Sequence, residues 1–163
     1  MTAPAQGFAA CLGDLEAAFE DVSTSALGFG DLAVIARHDH APEGCRGAYL
    51  ALVGPAGAVQ VGVASDEVGC QALAKALLGM DPSSPELPPE EVADAVAEIV
   101  NIVAGGFKAR VRDRFSPLQL GLPTFFTGPA QPTERTAVVT AELRVASYRV
   151  VLLLVHPRAG ERA

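Results

Sequence analysis

The sequence predicts an α/β protein of the α+β type, in which long helices pack on one face of a six-stranded, mostly antiparallel sheet. Three observations support this fold class. The predicted elements follow the order helix, strand, hairpin, helix, and then helix, strand, hairpin. The two halves resemble each other, because residues 46–52 and 135–141 share a pattern and each is followed by a hairpin. Half of the 163 residues are hydrophobic, which is enough for a core without disulfides or metals.

The first half of the chain is predicted to contain a helix, a strand, a hairpin and a second helix. Apolar residues recur at steps of three and four over 8–22, which predicts a helix with one buried face. A short apolar run over 32–37 predicts a strand. Two further runs, 48–53 and 59–64, flank a Gly/Pro turn and predict a hairpin. Residues 66–78 are predicted to be helical.

The second half repeats this order with a longer helix. Two prolines and two glutamates open that helix, since proline fits the first turn and glutamates favour the positive end of the helix dipole. Pro117 stops the helix, and Pro123 inside the following strand predicts an edge position or a bulge. The predicted elements are helix 88–115, strand 118–127 and a hairpin of strands 137–143 and 148–155.

The two halves are predicted to form a single domain over residues 1–163, because the length fits one ordinary domain. A proline-rich segment separates the halves and reads as a linker, and the end of the chain is expected to be frayed. The predicted divisions are first unit 1–80, linker 81–87, second unit 88–156 and flexible tail 157–163.

The composition argues against several classes of function. The formal net charge of −7 argues against binding to nucleic acid or to an anionic membrane surface, because both require a basic patch. The longest apolar run is far shorter than the roughly 20 residues that span a bilayer. The first residues lack a basic group, so we expect no signal peptide and a cytoplasmic location. The three widely spaced cysteines are predicted to be thiols in a reducing compartment.

The predicted helix 88–115 carries two stripes of different chemistry. Residues three and four apart lie on the same face of a helix, so each stripe defines a face. The apolar stripe is predicted to pack on the sheet and consists of Val92, Val96, Ile99, Val103, Phe107 and Val111. The polar stripe is predicted to face away from the sheet and consists of Asp94, Glu98, Asn101, Gly105, Lys108 and Arg112.

Two features of this helix lower its intrinsic stability. Adjacent glycines at Gly105 and Gly106 cost roughly 1.5–2 kcal/mol relative to alanines. Close packing against the sheet or close approach of another protein would each offset that cost. Asn101 is the only Asn in the chain, and Asn is a poor residue for a helix interior because its amide competes for backbone hydrogen bonds. Considered alone, Asn101 is most simply a solvated or locally hydrogen-bonded residue.

The polar stripe resembles the signature of a known family. Asp94, Glu98 and Asn101 form the pattern Asp-x3-Glu-x2-Asn, and an Ala-Gly pair at 104–105 and Pro123 follow it. This pattern, together with the duplicated order of helix, strand and hairpin, resembles the chemotaxis phosphatases of the CheC, CheX and FliY type.

The resemblance indicates one site rather than two. Residues 98–105 look especially like CheX. CheC-like members can carry a second site in the first unit, but here the stretch 16–19 has Phe19 where Asn would be needed. The chain is therefore identified as a CheX-like member with a single site.

The resemblance implies a protein phosphatase that promotes loss of the aspartyl phosphate from a CheY-like response regulator. In that family, the residue matching Asn101 orients the attacking water, and the residue matching Glu98 pairs with the regulator's active-site lysine. The regulator supplies the Mg²⁺, so no metal or cofactor of the chain's own is implied. The flanking residues expected to contact the partner are Asp94, Gly105, Lys108 and Arg112.

Other assemblies and functions of the same fold stay open. CheX-like proteins can pair through sheet edges, and the strand containing Pro123 and the hairpins are expected to leave such edges for a homodimer. The chain could also be a non-catalytic module that docks a receiver or a flagellar-switch protein, or a dimeric signalling scaffold.

Two further polar clusters have simpler interpretations. The sequence His-Asp-His at 38–40 has no third ligand at a fitting spacing, so a solvated turn is expected rather than a metal site. Arg110, Arg112 and Arg114 lie near the predicted end of the long helix, where cations favour the helix dipole. The alternative is that these arginines contact an acidic receiver surface.

Overall fold

The computed structural model describes residues 4–55, 57–115, 117–129 and 131–158, and it confirms the α+β class. The helices and strands, in chain order, are α1 (Pro4–Ala9), α2 (Leu12–Ser25), β1 (Leu32–His38), β2 (Arg46–Gly54), β3 (Gly57–Ser65), α3 (Glu67–Leu77), α4 (Pro89–Phe115), β4 (Gln119–Leu120), β5 (Thr124–Phe126), β6 (Thr136–Val145) and β7 (Tyr148–Pro157).

The strands form one sheet in the order β1-β6-β7-β3-β2-β4, and β5 pairs with β2 beside β4. All the described pairings are antiparallel. The hairpins β2–β3 and β6–β7 occupy the centre and meet where β3 pairs with β7. Each hairpin is flanked by the edge strand from the other half of the chain. The sheet order is therefore nearly symmetric about the β3–β7 pair.

The described part of the sheet has seven strands instead of the predicted six, because the predicted strand 118–127 is divided. β4 pairs Leu120 with Leu52, and β5 pairs Thr124 with Tyr49. The edge therefore contains one residue more than β2 does over the same length, which is a bulge. Pro123 lies in this bulge and has no N–H to donate to a ladder, so the pairing is interrupted there.

The predicted helix 8–22 is also divided, into α1 and α2. The N–H of Cys11 donates to the carbonyl of Phe8 at 2.9 Å between the two helices. Phe8, Cys11 and Leu12 are all buried. Because the buried pattern continues through the break, the spacing of apolar residues could not reveal it.

The three longer helices α2, α3 and α4 cover one face of the sheet, and the main core lies between the two layers. α4 packs against β2 and β3, with α2 on one flank and contacts to α3 as well. Each residue of its predicted apolar stripe is at most 7% exposed, so that stripe is the buried face. Within the described part of the chain, no helix has the length and apolarity needed to cross a bilayer.

The segment that connects α3 to α4 is held against α3 by hydrogen bonds from two side chains of that helix. The Lys75 amine donates to the carbonyls of Ser84 and Pro82 at 2.7 and 3.4 Å. The Gln71 amide exchanges two hydrogen bonds with the backbone of Leu87, at 2.9 and 3.0 Å. These bonds fix the point at which α4 begins and therefore the position of its polar stripe.

Regular structure continues into the segment that the sequence predicts to be a flexible tail. Pro157 is the last residue of β7. The N–H of Arg158 donates to the carbonyl of Arg135, and its guanidinium donates to the carbonyl of Thr136, both at 2.9 Å. Residues 159–163 of the predicted tail lie outside the described residues.

Candidate functional site

The polar stripe of α4 lies on the surface of the helix opposite the core, as its spacing predicted. Four of its residues are exposed, namely Asp94, Glu98, Asn101 and Arg112. Gly105 and Lys108 are partly exposed. We refer to this surface as the polar face of α4. It consists of Asp94, Glu98, Asn101, Gly105, Lys108 and Arg112.

Glu98 and Asn101 lie next to each other at the middle of the polar face. Side chains three residues apart on a helix have Cβ atoms about 5–6 Å from each other. Both side chains are exposed, and neither makes a side-chain hydrogen bond or ion pair with any residue that the structure describes. The carboxylate and the amide are therefore available together to a group outside the chain.

The two adjacent glycines of α4 have different surroundings. A Cβ added at Gly106 would lie 3.4 Å from the Cβ of Ala18 on α2, at the short end of ordinary van der Waals contact. A Cβ added at Gly105 would meet nothing within 4 Å. Gly106 therefore faces α2 and not the sheet, across a space that a methyl group would just fill. Gly105 leaves the polar face low and open beside Asn101.

Gly105→Ala is expected to raise the free energy of unfolding by about 0.8–1 kcal/mol, because alanine has the higher helix propensity and its Cβ enters open space. Gly106→Ala is the matched control, and a smaller gain is expected since its Cβ contacts Ala18. Urea denaturation of the three proteins measures both effects. Equal stability of Gly105→Ala and wild type would contradict this explanation.

The arginines near the end of α4 divide into two groups. Arg110 pairs with Asp21, and Arg114 pairs with Asp14 at 2.7 Å, so these two attach α4 to α2. Arg112 lies on the polar face, where its nearest carboxylate is that of Asp113 at 3.9 Å. Of the three arginines, only Arg112 is therefore placed to contact a partner, and the other two have a structural role that neither sequence interpretation anticipated.

A recess of about 450 Å³ continues the polar face toward the end of α4. Gly105, Lys108 and Arg112 border it on the helix, and Pro117 and Leu118 border it where the chain turns back after α4. The sequence pattern did not identify the last two residues, because helix periodicity carries no information about the direction of the chain beyond the helix.

The equivalent stretch in the first unit does not form a second site. Phe19 is fully buried in the core between the helices and the sheet. The carboxylate of Glu16 accepts two hydrogen bonds from the Arg37 guanidinium at 2.6 and 2.8 Å. An aromatic ring and a paired carboxylate therefore stand where an exposed amide and an available acid would be required.

The His-Asp-His segment at 38–40 borders a charged cluster on β1, β6 and β7. His38 Nε2 lies 3.4 Å from Glu142 Oε2, and Arg149 donates to Glu142 Oε1 at 2.7 Å. The hydrogen bond from Arg149 is the main reason that the pKa of Glu142 is lowered. Within the described part of the chain, no three His, Cys, Asp or Glu side chains are grouped so that they could hold a metal ion.

The chain has the fold of CheX proteins of known structure. A CheX from Desulfovibrio desulfuricans matches with a TM-score of 0.72 and 14% identity over 88% of this chain and 97% of that one. A chain of the CheX–CheY–BeF3–Mg²⁺ complex from Borrelia burgdorferi matches with a TM-score of 0.62 and 17% identity over 88% and 97%. FliY from Thermotoga maritima gives a TM-score of 0.62 and 15% identity over 88% and 84%. At these identities the matches show a shared fold.

The sequence itself identifies the family. The family model of the chemotaxis phosphatase CheX matches residues 47–141, which is more than half of the chain and includes all of α4. No match was found among curated proteins. The chain belongs to the CheX chemotaxis phosphatase family, and the resemblance inferred from the polar stripe is confirmed.

Proposed function

We propose that the chain promotes hydrolysis of the aspartyl phosphate of a CheY-like response regulator. The observation that carries this proposal is the exposed Glu98–Asn101 pair at the centre of the polar face, on a helix that the family model includes in full. The structure of a CheX in complex with CheY, BeF3 and Mg²⁺ supports a receiver as the partner, since beryllofluoride mimics a phosphoryl group.

Asn101 has the chemistry required to orient the attacking water. Its amide both donates and accepts hydrogen bonds and does not titrate, so it functions over a wide pH range. Water attacks phosphorus, the bond from phosphorus to the aspartyl oxygen breaks, and the carboxylate leaves as inorganic phosphate forms. An acyl phosphate is already reactive, so holding the water in line supplies most of the acceleration.

Glu98 is suited to pair with the receiver's active-site lysine, as the family resemblance implies. A carboxylate one turn from the amide would fix how the receiver sits on α4. Asp94 continues the acidic end of the polar face. The Mg²⁺ belongs to the receiver in this proposal, and the chain contributes positioning rather than a metal site. A receiver partner also implies a cytoplasmic location.

The test is turnover with a phosphorylated receiver and Mg²⁺. The chain, at a small fraction of the receiver concentration, is expected to shorten the lifetime of the phosphoryl group through many cycles. Release of phosphate is followed continuously, with receiver alone as the control. A lifetime that is the same with and without the chain, for every receiver that binds it, would overturn the proposal.

The alternative is a non-catalytic module that docks a receiver or a flagellar-switch protein. The solved structures show a shared fold, and a shared fold does not establish a shared activity, so this alternative is kept. The two proposals differ in one result of the same assay. Binding of the phosphorylated receiver without faster phosphate release supports the module and excludes the phosphatase.

We also propose a homodimer, formed through β1. The predicted contribution of the hairpins is wrong, because both hairpins lie inside the sheet. The edge at β4 and β5 is divided between two short strands, whereas β1 is a single seven-residue edge strand. Its register with β6 shifts once, between Val34 and Ala36, and Ile35 at that shift is 56% exposed. An exposed apolar edge strand is a template for pairing with a second chain.

Ile35→Lys is expected to shift the dimer to monomer, because a charge at the paired edge opposes strand addition. Val68→Lys is the matched control, since Val68 also has an exposed β-branched aliphatic side chain but lies on α3. Size-exclusion chromatography with light scattering measures the mass. A wild-type monomer at high concentration, or a dimer that Ile35→Lys leaves intact, would exclude β1 as the interface.

A further inference from the structure

The recess at the end of the polar face has two chemically different sides. Gly105 and Ala109 lie four residues apart on α4 and form a low surface without long side chains. Lys108 and Arg112, also four residues apart, provide two cations beside it. Across the recess, the exposed Pro117 and the buried Leu118 provide an apolar border.

The two cations are available to a partner. Lys108 makes no ion pair with any residue that the structure describes. Arg112 has only the contact of 3.9 Å with Asp113, and these side chains are 76% and 96% exposed, so solvent screens their attraction. The neighbouring Arg110 and Arg114 are instead occupied by carboxylates of α2.

The polar face has opposite charges at its two ends. Asp94 and Glu98 lie on the N-terminal side of Asn101, and Lys108 and Arg112 lie on the C-terminal side. Lys108 follows Asn101 by seven residues, which corresponds to about 10 Å along the helix. A partner whose reacting group meets Asn101 therefore presents a cation toward one end and an anion toward the other, which permits a single orientation.

We propose that this recess binds a carboxylate-bearing segment of the receiver, about 10 Å from the phosphorylated aspartate, and thereby fixes the receiver's orientation. This inference rests on the proposed function and adds the chemistry and place of a second contact. The apolar border and the open, solvated cations suit a side chain carried on a protein surface. A small free anion would instead favour a deeper site with convergent donors.

The experiment compares charge reversal at the recess with the same charge change elsewhere. The test variant is Lys108→Glu with Arg112→Glu. The control is Arg135→Glu with Arg144→Glu, two exposed arginines of which Arg135 precedes β6 and Arg144 lies near its end. Arg144 makes only an exposed 3.7 Å ion pair with Asp31. The dissociation constant for a beryllofluoride-activated receiver with Mg²⁺ is measured at low and at physiological salt. The neutral variant Lys108→Gln with Arg112→Gln reports loss of attraction without new repulsion.

The test variant is expected to raise the dissociation constant about tenfold at low salt and to flatten its salt dependence, because charged contacts at an interface rim act on encounter and are screened. The control is expected to stay within about twofold. The neutral variant is expected to lie between wild type and the test variant. A receiver in which a surface carboxylate is replaced by lysine should bind the test variant better than it binds wild type.

Three results would overturn the inference. The test variant and the control could raise the dissociation constant equally, which would make the effect one of net charge. The test variant could bind the receiver like wild type while wild type still accelerates phosphate release. That result would exclude the recess from receiver binding and leave the proposed function unaffected. Inorganic phosphate could displace the receiver from wild type but not from the test variant, which would assign the recess to a free anion. Failure of the proposed function is separate, since it is read from wild-type turnover.

Discussion

Asn101→Ala is expected to lower the catalysed rate of receiver dephosphorylation by about 100-fold or more, with the affinity for the receiver nearly unchanged. The reason is that the amide contributes chiefly by holding a water in line with the breaking bond, a positioning effect of that order. Alanine is also the better helix former, so the variant should be no less stable than wild type. The measurement is the rate of phosphate release at saturating receiver, together with the dissociation constant.

The matched control is Gln131→Ala, which removes an exposed amide from the loop before β6. It is expected to retain the wild-type rate. An Asn101→Ala protein that turns over receiver at the wild-type rate would remove Asn101 from the mechanism, even if binding and family membership stood.

Glu98→Ala is expected to raise the dissociation constant for the activated receiver roughly thirtyfold, which corresponds to about 2 kcal/mol. The carboxylate would lose its pairing with the receiver's lysine, and that lysine would be left unpaired at the interface. The rate at saturating receiver should fall less than it does in Asn101→Ala. Titration of each variant with beryllofluoride-activated receiver separates the two effects.

Glu43→Ala is the control for this prediction, because Glu43 is an exposed glutamate in the loop between β1 and β2. It is expected to bind the receiver like wild type. If Glu98→Ala and Glu43→Ala bind equally well, the carboxylate of Glu98 has no part in docking, and the polar face would have to orient its partner through other groups.

Local signals predicted α4 well, since its boundaries depend on residues within the helix and next to it. Two prolines and two glutamates open the helix, and Pro117 follows its end, so the observed Pro89–Phe115 differs from the prediction by one residue. The buried and exposed faces of α4 are also predictable from local spacing. Residues at steps of three and four share a face whatever the rest of the chain does, and the buried and exposed stripes follow directly.

The sequence could not distinguish residues whose roles depend on the neighbouring helix. Gly105 and Gly106 have the same helix propensity, but only Gly106 points toward Ala18 on α2. Arg110 and Arg112 are both arginines near the end of α4, but only Arg110 meets a carboxylate of α2. The position of α2 is set by contacts between segments distant in the chain, which no local pattern reports.

The sequence also could not predict the break between α1 and α2, the number of strands, or the position of the hairpins within the sheet. The apolar residues around Cys11 are buried on both sides of the gap between α1 and α2, so the periodic pattern runs through it. The bulge that divides β4 from β5 was anticipated at Pro123 as one of two possibilities, but the count of strands depends on how the segment pairs with β2. Likewise, the hairpins could be placed inside the sheet only once the pairing of β3 with β7 was known.

In the proposed mechanism, the Asn101 side chain enters the phosphorylation site of a receiver. Because Asn101 is the only Asn in the chain, protein labelled with ¹⁵N at asparagine gives a single pair of side-chain amide signals in an NMR spectrum. A large shift of this pair, with slowed exchange of its protons with water, is expected when beryllofluoride-activated receiver is added, and a much smaller change is expected with unactivated receiver. A pair that stays at its free position in a saturated complex would show that Asn101 does not enter the receiver's site.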